Sequence, residues 1–114
     1  MLSLLNIDDR ATSVAAVLWP RIETSETTEY SSEDDLATAV AALVTQVRDD
    51  VMGADSATYG FWQHAIPITA YADVMCQIER VGKNWRYALY LIERTGDLIL
   101  TSKVLTWREK PFDA

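Results

Sequence analysis

The sequence has few of the residues that most often carry chemistry, with one cysteine and one histidine among 114 residues. A lone cysteine, Cys76, excludes a disulfide within the chain and a cysteine-based zinc site. The lone histidine, His64, has no second histidine at the helical spacing of a zinc enzyme. The four glycines are isolated, so they form no phosphate-binding loop, and no Gly-x-Ser-x-Gly elbow occurs. We therefore expect no metal and no cofactor, and we favour a role other than catalysis.

Long apolar runs are also missing, because no stretch approaches the roughly 18 residues that span a membrane. The first six residues lack both the basic start and the length of a secretory signal peptide. A chain of this length suits one domain with a single hydrophobic core. We expect one α+β domain over residues 1–114, located in the cytoplasm and without a membrane partner.

Basic residues are scarce in the first half of the chain. Residues 1–55 hold eleven acids and three bases, whereas residues 56–114 hold six acids and seven bases. The net charge of −7 therefore belongs to the first half. Binding of nucleic acid depends on Lys and Arg side chains that neutralise phosphates, so direct contact with nucleic acid is not expected. The acidity suits a basic protein partner, or it serves solubility alone.

The clearest pattern that is present is a series of three strands joined by tight turns. Residues 70–81, 84–94 and 97–107 are rich in β-branched and aromatic types, which favour strands. Two-residue turns at residues 82–83 and 95–96 separate them, and each turn contains a glycine. The sequence therefore predicts an antiparallel meander of three strands, or of up to five if neighbouring segments join it.

The first turn predicts a register that brings opposite charges together. It places Glu79 opposite Arg86 and Met75 opposite Tyr90 on one face, with Cys76 on the other, apolar face. Facing charges of opposite sign stabilise a strand pair. A shift by one residue would lose this agreement and would turn the apolar face outward.

The second turn, interpreted in the same way, places Arg94 opposite Asp97 and Tyr87 opposite Val104. The outer face of the meander then carries an apolar band: Met75, Tyr90, Ile92, Ile99 and Trp107. A sheet face that is open to water would alternate more cleanly with polar residues. We therefore expect the band to be covered by the N-terminal helix, by a second subunit in a homodimer or by a binding partner.

A long helix is predicted over residues 33–52. Ser32 suits the N-cap position, three acids follow it in the first turn, and Gly53 suits the end. The apolar residues recur on one side at helical spacing: Leu36, Val40, Leu43, Val44, Val47 and Val51. The helix and the strands have similar lengths, so we expect the helix to lie across the apolar face of the meander.

The remaining segments leave alternatives open. Residues 7–18 have the spacing of a short helix that Pro20 would end, although a strand within residues 13–30 competes with it. The aromatic segment over residues 58–67 is either an edge strand or an ordered loop. A helix cradled by an antiparallel sheet resembles the cystatin-like rolls, in architecture alone.

Two functional hypotheses follow from these features. The first is a non-enzymatic module of the inhibitor, immunity or adaptor type, which binds a protein partner through the outer sheet face or through an acidic helical half. The acids concerned are Asp34, Asp35, Asp49 and Asp50. The alternative is a small-molecule-binding or enzymatic roll. Its pocket would be lined by Trp62, His64, Trp85 and Tyr87.

Overall fold

Two helices precede four strands in the computed structural model, which describes residues 2–54 and 59–109, without the side chains of residues 2–6 and 8. The elements in chain order are α1 (Leu2–Ile22), α2 (Glu33–Gly53), β1 (Tyr59–Thr69), β2 (Ala72–Val81), β3 (Asn84–Thr95) and β4 (Leu98–Glu109). The four strands form one antiparallel sheet in the order β1-β2-β3-β4. The predicted α+β fold with a meander is confirmed.

Side chains of β2 show how the two faces of the sheet differ. Val74, Cys76 and Ile78 are fully buried on the side that meets the helices, which we call the inner face. Met75 and Gln77, which alternate with them, are only partly buried on the opposite side, the outer face. The register between β2 and β3 is the predicted one, with Glu79 opposite Arg86 and Met75 opposite Tyr90.

α2 lies across the inner face and contacts β1 and β2. Its apolar stripe is buried as predicted, from Leu36 at one end to Val51 at the other. The side chain of Ser32 accepts a hydrogen bond from the backbone N–H of Asp35 at 3.2 Å, and this caps the helix. The predicted helix over residues 33–52 is confirmed to within one residue.

α1 is longer than the predicted helix over residues 7–18. It continues through Pro20 to Ile22, and the N–H of Glu23 still bonds to the carbonyl of Trp19 at 2.9 Å. Near the end of a helix, proline removes few of the backbone hydrogen bonds. Continuing the helix buries Ile22, which is 4% exposed, so packing outweighs the local preference. The competing strand within residues 13–30 does not form.

The aromatic segment is an edge strand, β1, as one of the two alternatives predicted; residue 58 lies outside the described residues. Pro67 is part of this strand, and the register shifts between Pro67 and Thr69. Proline has no backbone N–H to donate to a neighbouring strand. An edge strand tolerates it because the strand has no neighbour on one side.

The predicted turn at residues 95–96 is wrong by one residue. Thr95 pairs with Leu98, so the loop consists of Gly96 and Asp97. Gly96 has φ +60° and stands first in its loop, as Gly82 with φ +62° does in the other hairpin. Tight hairpin turns favour a positive φ at that first position, and glycine adopts it without strain. The predicted pairing of Arg94 with Asp97 is therefore wrong, and Arg94 faces Ile99.

A β-bulge in β4 changes which of its side chains point toward the helices. Leu89 pairs with Leu105 and Tyr90 pairs with Lys103, which leaves Val104 as an extra residue. Trp107 therefore lies on the inner face, where its ring stacks on Tyr87 at 4.6 Å between centroids. The prediction that Trp107 belongs to the outer band is wrong, because one inserted residue reverses the faces beyond it. The prediction that Tyr87 faces Val104 is wrong because the shifted turn and the bulge together bring Trp107 opposite Tyr87.

Both helices lie on the inner face of the sheet. α1 packs along α2 and reaches β4, where the guanidinium carbon of Arg10 lies 4.7 Å from the centre of the Trp107 ring. At the other end of α1, Arg21 bonds to Glu93 of β3 at 2.9 Å. The expectation that the N-terminal helix covers the outer face is therefore wrong. Within the described ranges, neither helix is long and apolar enough to cross a membrane.

Candidate functional site

The outer face of the sheet contains a groove of about 430 Å³. Its floor lies at Ala88 of β3, and the larger side chains of Arg86 and Tyr90 flank it along the strand. Gln77 of β2 and Thr106 of β4 are the cross-strand neighbours of Ala88. The groove thus forms where a small side chain of this face is surrounded by longer ones.

The outer face is basic, in contrast to the chain as a whole. Its strands present four bases and two acids, a formal charge of +2: Asp73, Glu79, Arg86, Arg94, Lys103 and Arg108. Arg94 bonds to Asp73 at 2.8 Å, and Arg86 bonds to Glu79 at 3.3 Å. Lys103 and Arg108 line the groove and make no ion pair with any residue that the structure describes.

The predicted apolar band is only partly present. Met75 and Tyr90 face each other across strands and are half-buried, and Ile92 beside them is half-buried as well. Ile92 pairs with Thr101, and Ile99 is its diagonal neighbour, 68% exposed. These side chains form an apolar area next to the basic groove, with no described element above it.

The start of β4 exposes three consecutive apolar side chains: Leu98, Ile99 and Leu100, at 64%, 68% and 53%. Leu100 pairs with Glu93 on the inner face of the sheet, yet about half of its side chain remains exposed. Three apolar residues directly after a turn were the available signal. This segment is also on an outer edge of the sheet.

The four acids singled out in the sequence do not form one cluster. Asp34 and Asp35 are exposed in the first turn of α2, where carboxylates favour the helix dipole. Asp49 and Asp50 are exposed in its last turns, roughly 22 Å further along the axis. The first pair therefore has a local structural reason, whereas the second has none.

The four residues of the predicted pocket do not converge. Trp62 and His64 belong to β1 and Trp85 and Tyr87 to β3, with β2 between them. His64 is exposed at the sheet edge, whereas Trp85 and Tyr87 are fully buried in the core. The inner face is thus filled with side chains at the positions where the pocket was expected.

A buried charged cluster, missed in the sequence, joins α2 to the end of β4. Arg48 is 9% exposed, and both its guanidinium and the Tyr87 hydroxyl donate hydrogen bonds to Glu109. The guanidinium carbon lies 5.8 Å from the centre of the Trp85 ring. Burial, reinforced by the bond to Glu109, raises the pKa of Tyr87 well above its usual value. Arg48 follows Val44 by four residues, so its place on the apolar stripe was the available signal.

The cysteine and the potential metal ligands are not arranged for catalysis or metal binding. Burial raises the pKa of the Cys76 thiol to about 12, which keeps it protonated and unreactive at neutral pH. In the described ranges, no three His, Cys, Asp or Glu side chains come together to hold a metal ion. The groove on the outer face is the feature best suited to recognition.

No family model, no curated protein and no solved structure matches this chain. What the molecule does is therefore inferred from its surfaces.

Proposed function

We propose that this chain is a non-enzymatic protein-binding module of the inhibitor, immunity or adaptor type, which acts in the cytoplasm and docks through the outer face of its sheet. One observation carries the proposal. Both helices pack on the inner face, so Met75, Tyr90 and Ile92 have no described cover on the outer one. Contiguous apolar area with a charged rim is typical of protein contact sites.

The residues of this face are of the types that dominate binding energy. Tyrosine and arginine are enriched where truncation weakens a complex most, and Tyr90, Arg86 and Arg108 line one groove. Lys103 and Arg108 supply positive charge that Glu79 does not offset, because Glu79 already pairs with Arg86. A partner segment that combines apolar side chains with carboxylates would complement this groove.

The acidic surface of α2 is a second candidate, suited to a basic partner. Asp49 and Asp50 lie near the negative end of the helix dipole, where carboxylates lower helix stability. Their presence there is not explained by the fold. Long-range attraction by such charges would mainly raise the association rate and would weaken with salt.

A homodimer through the outer face was also expected from the sequence. Two copies that meet through the same face would bring together surfaces of like charge, each with a formal +2. We therefore assign this face to a different protein.

The experiment compares what the tagged full chain and its variants capture from an extract of the source organism, with the captured proteins identified by mass spectrometry. Tyr90→Asp should abolish capture, because it places a charge in the centre of the apolar area. Tyr71→Asp is the matched control, since Tyr71 is 66% exposed in the β1–β2 turn, away from the groove. Circular dichroism verifies that each variant is folded.

The paired variant Asp49→Asn with Asp50→Asn tests the second candidate surface. Docking through the sheet predicts that it captures the same protein as the parent chain. Loss of capture in this variant, with capture intact in Tyr90→Asp, would transfer the docking site to α2 and refute the sheet assignment.

A further inference from the structure

β4 has one edge without a partner strand among the described residues, because it is last in the sheet order. A free edge exposes backbone donors and acceptors that another strand can use. β1, the opposite edge strand, is protected by Pro67 and by its register shift. The first half of β4 has no such protection, and it is apolar on both faces.

We propose that two copies of this chain pair along this edge of β4, antiparallel about a two-fold axis at Leu100, so that their sheets join into one of eight strands. The axis makes residue pairs symmetric, with Leu98 opposite Ser102, Ile99 opposite Thr101 and Asp97 opposite Lys103 of the second copy. This contact shares Lys103 with the groove of the proposed docking face, but it runs along the edge of the sheet and does not depend on that function.

The backbone of β4 is in the correct phase for this pairing. In a two-residue hairpin the residues that flank the loop, here Thr95 and Leu98, exchange hydrogen bonds with each other. Along a strand, the backbone N–H and C=O groups of successive residues point to opposite sides. Those of Ile99, Thr101 and Lys103 therefore point to the free edge. With the axis at Leu100, Ile99 and Thr101 of one copy exchange hydrogen bonds with Thr101 and Ile99 of the other.

The side chains on both faces gain contact in the same arrangement. Leu100 meets Leu100 of the second copy on the inner face, where it is 53% exposed in the single chain. Ile99, which is 68% exposed, meets Thr101 of the second copy on the outer face. Burying these apolar groups supplies the driving force.

Charge selects this register over its neighbours. Asp97 of each copy faces Lys103 of the other, which gives two ion pairs by symmetry. Within one chain these residues lie roughly 20 Å apart along the strand, so they cannot pair with each other. Moving the axis one residue to Thr101 would place Asp97 opposite Leu105 and would lose both ion pairs.

The bulge at Val104 ends the contact. Pairing is therefore confined to residues 97–103, which is a short interface compared with those of permanent dimers. We expect a reversible dimer with a dissociation constant between about 10 μM and 1 mM.

Sedimentation velocity of the full chain over that concentration range, at low salt, tests the proposal by charge reversal. Asp97→Lys and Lys103→Asp should each raise the dissociation constant by about tenfold, because each places like charges opposite one another twice. The double variant should restore the parent value. Lys83 occupies the same loop position in the other hairpin as Asp97, so the turn accepts a lysine there. Lys83→Asp is the control and should leave dimerisation unchanged.

Hydrogen exchange on the parent chain gives a second measurement that requires no variant. Amides of Ile99 and Thr101 should become more protected as concentration rises, while those of β1 do not change. A parent that stays monomeric up to 1 mM would overturn the proposal. A double variant that dimerises as weakly as the single variants would also overturn it. The same holds for a dimer that dissociates in Tyr90→Asp but persists in both charge-reversal variants.

Discussion

At the scale of single residues, Glu109 holds a position of unusual consequence. It accepts hydrogen bonds from Arg48 and from Tyr87. In the ion pair that it forms with Arg48, the Arg48 side chain is 10% exposed and the Glu109 side chain 14% exposed. Removing one member of a buried ion pair leaves the other charge without compensation, which costs far more than the intact pair contributes.

Glu109→Gln should lower the free energy of unfolding by about 3 kcal/mol, because Arg48 then lacks its counter-charge in a poorly solvated place. Glu79→Gln is the matched control. Glu79 pairs with Arg86 where both side chains are about half exposed, so its loss should cost at most about 0.5 kcal/mol. Chemical denaturation measures both changes, and equal losses in the two variants would show that burial of the Arg48 pair has no special weight.

The same cluster shows where inference from sequence ends. Arg48 and Glu109 are 61 residues apart, and no local pattern connects them. Position 48 could have been recognised as part of the apolar stripe of α2. Its partner depends on the register of β4, which a bulge decides.

At the scale of the elements, the hairpins show how one residue controls a register. Gly82 and Gly96 both stand first in their loops with positive φ. The β2–β3 register followed from the sequence because its glycine was assigned to that position. The β3–β4 register did not, because Gly96 was assigned to the second position.

Gly96→Ala should lower the free energy of unfolding by about 1 kcal/mol, since an L-residue is strained at φ +60°. There is open space around the position, so the cost comes from the backbone and not from a steric clash. Gly53→Ala, at the end of α2, also meets open space and has no positive φ. Denaturation curves should show a loss for the first variant and none for the second. A loss of the same size in both would refute the role of the turn conformation.

Other features of the elements followed from local patterns or escaped them for physical reasons. α2 was predictable because its cap, its apolar stripe and its terminal glycine agree with one another. The length of α1 was not, because burial of Ile22 outweighs the local effect of Pro20. The inward position of Trp107 depends on an inserted residue, and nothing in the composition of β4 marks it.

At the scale of the whole molecule, the core between α2 and the sheet holds the layers together. Leu43→Ala and Leu89→Ala should each lower the free energy of unfolding by about 2–5 kcal/mol, since these side chains are 1% and 0% exposed. Leu98→Ala is the control of identical chemistry, because Leu98 is 64% exposed, and it should change stability by at most about 0.5 kcal/mol. Thermal melts at low protein concentration measure the change in stability of each variant. A core variant that melts like the parent would contradict the assigned packing.

The two faces of the molecule differ in charge, with acids concentrated on the helices and a formal +2 on the outer face of the sheet. In the proposed dimer the two-fold axis is perpendicular to the sheet, so both grooves lie on the same side. A partner with two matching segments would then bind both, and the second contact would form at high effective concentration. The position of α1 could not be foreseen, since it depends on packing against α2 and the sheet rather than on its own sequence.

The order of the elements also matters while the chain is being made. A ribosome produces α1 and α2 first, so their apolar stripes have no sheet to pack against until the later strands emerge. The first 55 residues carry eleven of the acids, and mutual repulsion of this kind opposes clumping of unfinished chains. Once translation reaches the strands, each strand after β1 pairs with the strand that precedes it in the chain. Contacts between strands that are neighbours in sequence form quickly. The two helices can therefore pack against the sheet soon after its strands are synthesised.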